Sequence, residues 1–215
     1  MDTRRQRLRD ACLYLVCDAE SDEFLEAALR GGVDVVQLRM KQADDAEILR
    51  AARRFRRACS EHDVLLILND RPDLVNRAGA DGVHVGQEDA PVESARAAVG
   101  EDRLVGLSTH TPAQIEAARG VDYIGVGPVH ETPTKPGRPA VGLELVRYAA
   151  AQTRVPFFAI GGITPENVGE VRSAGARCVA VVRALTGAPD PQAAAVALRD
   201  GICEPHREEA RVGPA

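Results

Sequence analysis

Val35-Val36-Gln37-Leu38-Arg39-Met40-Lys41 is the stretch on which the fold turns. It alternates with period 2, the signature of a β-strand. Val36, Leu38 and Met40 share one face, and Gln37, Arg39 and Lys41 share the other. Inward positions of a closed parallel barrel are normally packed with branched apolar side chains. Two cations and an amide on that face call for an anion, because unpaired buried charge is costly. The strand end therefore predicts part of a site for a multiply charged anion such as phosphate or pyrophosphate. The plainer alternative is an exposed strand edge on which Arg39 and Lys41 are solvated.

Working outward, strand-like apolar runs recur eight times, each followed by an amphipathic helical run. Strands are expected at Cys12 to Asp18, Val33 to Lys41, Val64 to Asp70, Gly82 to Gln87, Leu104 to Thr109, Tyr123 to Val129, Pro156 to Gly161 and Cys178 to Leu185. Helices are expected at Ser21 to Arg30 with Ser21 as N-cap, at Asp44 to Glu61, and in a short turn opened by Pro72. Further helices are expected at Pro91 to Val99, Pro112 to Arg119, Leu143 to Ala151, Pro165 to Ala174 and Pro191 to Asp200. Such alternation implies right-handed βαβ units and a parallel sheet. Eight units in a 215-residue chain fit an α/β, single-domain (β/α)8 TIM barrel. A doubly wound open sheet is the runner-up, weakened by the lack of a dinucleotide-binding glycine fingerprint after the first strand. Residues 1–10 read as an N-terminal extension, 11–201 as the barrel and 202–215 as a polar tail.

Composition narrows the function classes. The net charge of −5 provides no basic field for nucleic acid, and 3% aromatics without Trp leave little for base stacking. No apolar run approaches the roughly 20 residues that span a bilayer. The Arg-rich start before Ala11 to Cys17 faintly resembles a signal peptide, but the apolar run is short and lacks a small-residue cleavage pattern. A strand and a cytoplasmic location are expected instead. Cys12, Cys17, Cys59, Cys178 and Cys203 form no Cys-x-x-Cys pair, and their odd number argues against a disulfide framework.

Barrel active sites sit at the C-terminal strand ends. Polar groups gather at nearly every one of them here: Gln37, Arg39 and Lys41; Asn69-Asp70; Gln87-Glu88-Asp89; Ser108-Thr109-His110; Thr132-Pro133-Thr134-Lys135; Gly161-Gly162; and Val182-Arg183. Asp70 and Asp89 come from adjacent strands and suit Mg²⁺, which takes one or two carboxylates plus substrate oxygens and water. Each also stands just ahead of a proline-opened helix and is a plausible cap. The proline-stiffened loop His130 to Gly142 places two hydroxyls and Lys135 near a phosphate, or forms a rigid surface loop. Gly161-Gly162 admits backbone N–H groups close to a ligand, and also suits a tight strand-to-helix turn. His84 reads as structural, His110 and His130 as rim residues without an evident partner, and His62 and His206 as surface residues. A cationic, metal-suited region facing a backbone-and-hydroxyl region suggests the joining of two phosphorylated fragments, with pyrophosphate leaving from the metal side.

Gln37-Leu38-Arg39-Met40-Lys41, Asn69-Asp70, Asp81 to Asp89, Gly106 to His110, Gly125-Val126-Gly127-Pro128 with Thr132-Pro133-Thr134-Lys135, and Ile160-Gly161-Gly162-Ile163 resemble the thiamine phosphate synthase family, in order, from about Leu13 to Leu185. The resemblance implies a TIM-barrel transferase that couples a hydroxymethylpyrimidine diphosphate to a thiazole phosphate, with dissociative loss of pyrophosphate. It implies that Gln37, Leu38, Arg39, Met40, Lys41, Asn69, Ser108 and Lys135 hold the pyrimidine diphosphate. Asp70 and Asp89 would bind Mg²⁺, and Thr132, Pro133, Thr134, Gly162, Val182 and Arg183 would hold the thiazole phosphate. Arg39, Lys41, Ser108 and Lys135 would carry the chemistry. The partners implied are small phosphorylated molecules, not nucleic acid or membrane, with a homo-oligomer left open. The chain departs from the pattern at Met40, where Glu is usual, at Arg183, where Ser is expected, and at Cys17, where Thr is expected. The competing readings are a thiazole tautomerase on the same barrel, a sugar-phosphate isomerase and a non-catalytic phosphate-sensing barrel.

Overall fold

In the computed structural model, which describes residues 3–132 and 139–203, eight parallel strands close into a barrel in chain order. They are β1 Leu13–Cys17, β2 Val35–Leu38, β3 Leu65–Asn69, β4 Gly82–Val85, β5 Leu104–Thr109, β6 Tyr123–Val126, β7 Phe157–Ile160 and β8 Val179–Val181. The ring closes where Tyr14 of β1 pairs with Ala180 of β8. The helices are α1 Thr3–Asp10, α2 Asp22–Arg30, α3 Asp45–Glu61, α4 Val75–Ala78, α5 Val92–Val99, α6 Pro112–Ala117, α7 Gly142–Gln152, α8 Val168–Ser173, α9 Arg183–Thr186 and α10 Pro191–Cys203. Pro72–Leu74 adds one 3₁₀ turn ahead of α4.

Local chemistry sets several of these boundaries. Ser21 caps α2 by accepting from the Phe24 N–H at 3.2 Å. Asp44 and Glu47 form a reciprocal capping box at the start of α3. Most expected strands run on beyond the observed ones, because period-2 patterning continues after the ladder has ended. The largest difference is β8, expected to run to Leu185. It stops at Val181, and Arg183–Thr186 coils into α9 with Leu185 buried. A short apolar run does not distinguish strand from buried helix. At the chain's end α10 continues to Cys203 with Ile202 buried, past the expected boundary at 201, and residues 204–215 lie outside the described residues.

Apolar side chains form two layers. One lies between sheet and helices and includes Val36, Leu38, Phe55, Leu66 and Val83. The other fills the barrel and includes Tyr14, Val16, Val35, Leu65, Ile67, Leu104, Tyr123 and Phe158. Leu8 of α1 joins that inner layer, so the N-terminal segment is an ordered helix plugging the lower mouth.

Three aspartates hold that lower end. Gly32-Val33-Asp34, Gly79-Ala80-Asp81 and Gly120-Val121-Asp122 precede β2, β4 and β6, and each glycine has positive φ. Asp34 accepts N–H groups from Cys12 and Leu13, Asp81 from Leu66 and Asp122 from Val105. Arg199 pairs with Asp34, Arg4 and Arg56 with Asp81, and Arg5 and Arg96 with Asp122. Gly175-Ala176-Arg177 takes the same place before β8, with Arg in place of Asp, and there the Cys178 thiol donates to the Ala11 carbonyl at 3.0 Å. The barrel is thus four βαβα quarters whose turns recur in sequence.

Candidate active site

The C-terminal strand ends surround a cavity of about 660 Å³. Eight of the expected site residues line it: Gln37, Arg39, Asn69, Ser108, Thr132, Gly162, Val182 and Arg183. Gln37 is 4% exposed and donates from Nε2 to the Tyr14 hydroxyl at 2.7 Å. Leu38 and Met40, expected as binding residues, turn their side chains away from the cavity. Leu38 is buried in the helix-facing layer and Met40 packs against it. Period 2 places them there, opposite Gln37 and Arg39.

The floor of the cavity is aromatic. Phe158 meets Tyr14 and Tyr123 edge-on, with centroids 5.1 and 5.7 Å apart. The Tyr14 and Tyr123 hydroxyls lie 3.0 Å from each other. His84 Nδ1 is 3.2 Å from the Tyr123 hydroxyl, and its Nε2 is 2.9 Å from Ser108 Oγ. Burial pushes both phenols well above their usual range. The sequence reading passed over Tyr14, Tyr123 and Phe158. Their polar or bulky rings at inward barrel positions are the same signal that singled out Gln37.

The acidic rim adjoins this cavity rather than lining it. Lys41 Nζ lies 3.4 Å from Asp70 Oδ2, and Asn69 donates to the same oxygen at 2.6 Å. Asp70 adopts φ 58°, a left-handed conformation that few side chains other than Asn and Asp enter. Burial and the neighbouring Asp89 carboxylate raise its proton affinity, against the opposing pull of Lys41. Asp89 accepts the Gly86 N–H at 2.8 Å. Neither aspartate caps a helix: Arg71 and Pro91 occupy the cap positions, without a side-chain capping bond. Two facing carboxylates freed from capping supply oxygen donors of the kind Mg²⁺ takes.

The opposite wall is built of backbone. A Cβ on Gly161 would come within 2.5 Å of Pro128, and one on Gly162 within 2.7 Å of His130 Cβ. Both glycines also have positive φ, so the close approach of the β6 and β7 loops already requires them. Thr132 and Arg183 border this wall, whereas Pro133, Thr134 and Lys135 lie outside the described residues. His110 is anchored by Nδ1 to the Gly127 carbonyl and His62 pairs with Glu26. Among the described residues all cysteines are free, and burial pushes the Cys59 and Cys178 thiols up to about 12.

This geometry can be set beside known proteins. The family model described as thiamine monophosphate synthase matches residues 13–185, the whole run of strands and the site between them. The chain belongs to that family. Within it, the chain is 50% identical over 208 residues to the thiamine-phosphate synthase of Thermobifida fusca, covering 92% of this chain and 95% of that one. It is 53% identical over 203 residues to the thiamine-phosphate synthase of Streptomyces avermitilis, with 90% and 94% covered. A solved thiamine phosphate pyrophosphorylase from Pyrococcus furiosus superposes with TM-score 0.83 at 32% identity, covering 92% of this chain and 96% of that one. Family membership makes the chain a transferase. Among the described residues no helix is long and apolar enough to cross a membrane.

Proposed function

We propose that the chain couples 4-amino-2-methyl-5-hydroxymethylpyrimidine diphosphate to 4-methyl-5-(2-hydroxyethyl)thiazole phosphate, giving thiamine phosphate and pyrophosphate. The observation that carries this reading is the polarity of one barrel mouth: Arg39, Lys41, Asp70 and Asp89 on one side, and the Gly161-Gly162 backbone on the other. In this reading the methylene C–O bond breaks with its electron pair leaving on pyrophosphate, and the thiazole nitrogen forms the new C–N bond. Arg39, Lys41 and Lys135 stabilise the charge that grows on the leaving group. Ser108 and Gln37 orient the pyrimidine, and the aromatic floor keeps water from the reacting carbon. The Gly162 backbone, Thr132, Thr134 and the start of α9 receive the thiazole phosphate, with Arg183 as an added cation. The reaction asks for little acid–base chemistry, which suits a site where His84 and His110 are bonded to neighbouring groups.

Asp70 and Asp89 would hold Mg²⁺, which when bound offsets negative charge on the departing pyrophosphate. A cytoplasmic location is part of the same proposal.

The test is pyrophosphate release by the purified protein with both fragments and Mg²⁺, with EDTA as control. Metal-dependent release together with the coupled product is expected. Tautomer exchange of the thiazole without release would overturn the reading in favour of a tautomerase.

A further inference from the structure

One chain of hydrogen bonds crosses the barrel interior beneath the cavity. Gln37 Nε2 donates to Tyr14, the Tyr14 and Tyr123 hydroxyls are bonded at 3.0 Å, Tyr123 reaches His84 Nδ1, and His84 Nε2 reaches Ser108 Oγ. Five residues from β1, β2, β4, β5 and β6 take part. Gln37, Tyr14 and Tyr123 are each buried, so water does not compete at those links. An amide NH₂ only donates, which sets a direction at the Gln37 end. Both phenols stay neutral, because burial raises them far above neutrality, and each therefore has one proton to pass on. The bond between the two hydroxyls can run either way; the direction that continues the Gln37 donation carries the Tyr14 proton to Tyr123 and the Tyr123 proton to His84 Nδ1. A neutral imidazole that accepts at Nδ1 must carry its hydrogen on Nε2. In that direction the Nε2 hydrogen satisfies Ser108 Oγ, 2.9 Å away, and the serine's own proton is left for the cavity.

We infer that Gln37, Tyr14, Tyr123 and His84 form one directed relay that presents Ser108 as a hydrogen-bond donor to an unprotonated ring nitrogen of the heteroaromatic substrate. Tyr14, Tyr123 and His84 are positioning residues, since they act through Ser108. The ligand's identity as a pyrimidine rests on the synthase reading, whereas the direction of the relay does not. Two features of the fold hold the relay in place. A Cβ on Gly106 would lie 2.1 Å from Tyr123 Cζ, so the absent side chain is the space that the phenol occupies. The Tyr123 ring also stacks obliquely on His84 at 5.5 Å between centroids, which limits rotation of the imidazole.

The first measurement is the His84 tautomer, from long-range ¹H–¹⁵N correlation spectra of the full-length protein at a pH above the ordinary histidine range. The expected pattern is a protonated Nε2 and a bare Nδ1. A protonated Nδ1 would reverse the relay, make Ser108 an acceptor and overturn the inference. The second measurement uses Tyr123→Phe, which keeps the ring and removes the donor to Nδ1. Loss of that one hydrogen bond should mix the two tautomers and lower kcat/KM for the pyrimidine diphosphate roughly tenfold. KM for the thiazole phosphate should stay within about twofold, since Ser108 makes no contact with that fragment in this scheme. A lowered Tm with unchanged tautomer and unchanged pyrimidine kinetics would reduce Tyr123 to a packing role and overturn the inference. Should wild-type protein release no pyrophosphate at all, the synthase reading fails, and the tautomer spectra still decide the relay.

Discussion

Asp70 joins three properties that ordinary capping residues lack: a left-handed backbone, a like-charged neighbour in Asp89 and a proton affinity raised chiefly by burial. A carboxyl whose folded pKa lies above its ordinary value of 3.8 favours folding in acid, and that contribution is lost as pH rises through the folded pKa. At neutral pH the ionised Asp70 therefore costs stability that a bound cation would return. Asp70→Asn, a residue the left-handed region tolerates, should raise Tm at neutral pH in metal-free buffer while cutting Mg²⁺-dependent turnover. The Tm difference should vanish below the ordinary carboxylate range; a variant with full rate and unchanged metal dependence would remove Asp70 from the site. Lys135 carries a separate expectation. Lys135→Ala should lower kcat by roughly 10²–10³, the usual effect of removing one charge-stabilising group, with Tm nearly unchanged. Parallel losses of Tm and kcat would make it a structural lysine.

At the scale of the element, the lower end of the barrel carries stability and the upper end carries the site. Asp81 shows how the lower end works. Burial alone would raise its pKa, but the Leu66 N–H, Arg56 and Arg4 outweigh burial and hold the carboxyl below its usual range. That stabilisation is present above the ordinary carboxylate value and is lost as pH falls through the lowered folded pKa. Asp81→Asn should cost about 3 kcal/mol at neutral pH, because it strips the charge from a buried network that fastens α1 and α3 to β3. Urea unfolding from neutral to acid pH checks this, and the variant should lose part of the wild type's acid sensitivity. The repeated Gly-x-Asp turns behind this network stand openly in the sequence, yet periodicity of strands and helices does not single them out. Their role appears only once Asp34, Asp81 and Asp122 are seen reaching back to the preceding odd-numbered strands. The same holds for α1, whose Arg4 and Arg5 look like a solvated charge run until they are seen pairing with Asp81 and Asp122.

Taken as a whole, the molecule places two chemically different walls around one cavity, and they should respond to ligands separately. Pyrophosphate with Mg²⁺ should slow amide hydrogen exchange at residues 39–41, 69–71 and 86–89. The thiazole phosphate alone should slow it at residues 161–164 and 182–186. Protection of both walls by either ligand alone would mean that the two regions form one site rather than two facing subsites. Much of this organisation was legible beforehand. Eight strand-like runs, the apolar–polar switch along Val35 to Lys41 and the polar strand ends are local patterns, so a closed parallel barrel with its site at one end followed from the sequence. So did the outward direction of Leu38 and Met40, since a period of 2 assigns faces without tertiary information. The choice between capping and pairing for Asp70 and Asp89 belonged to the tertiary structure, because both roles use the same residue type at the same place in a turn. The bonding from Gln37 through Tyr14, Tyr123 and His84 to Ser108 also had no local signature: barrel closure makes neighbours of residues as far apart in sequence as Tyr14 and Tyr123, 109 positions apart.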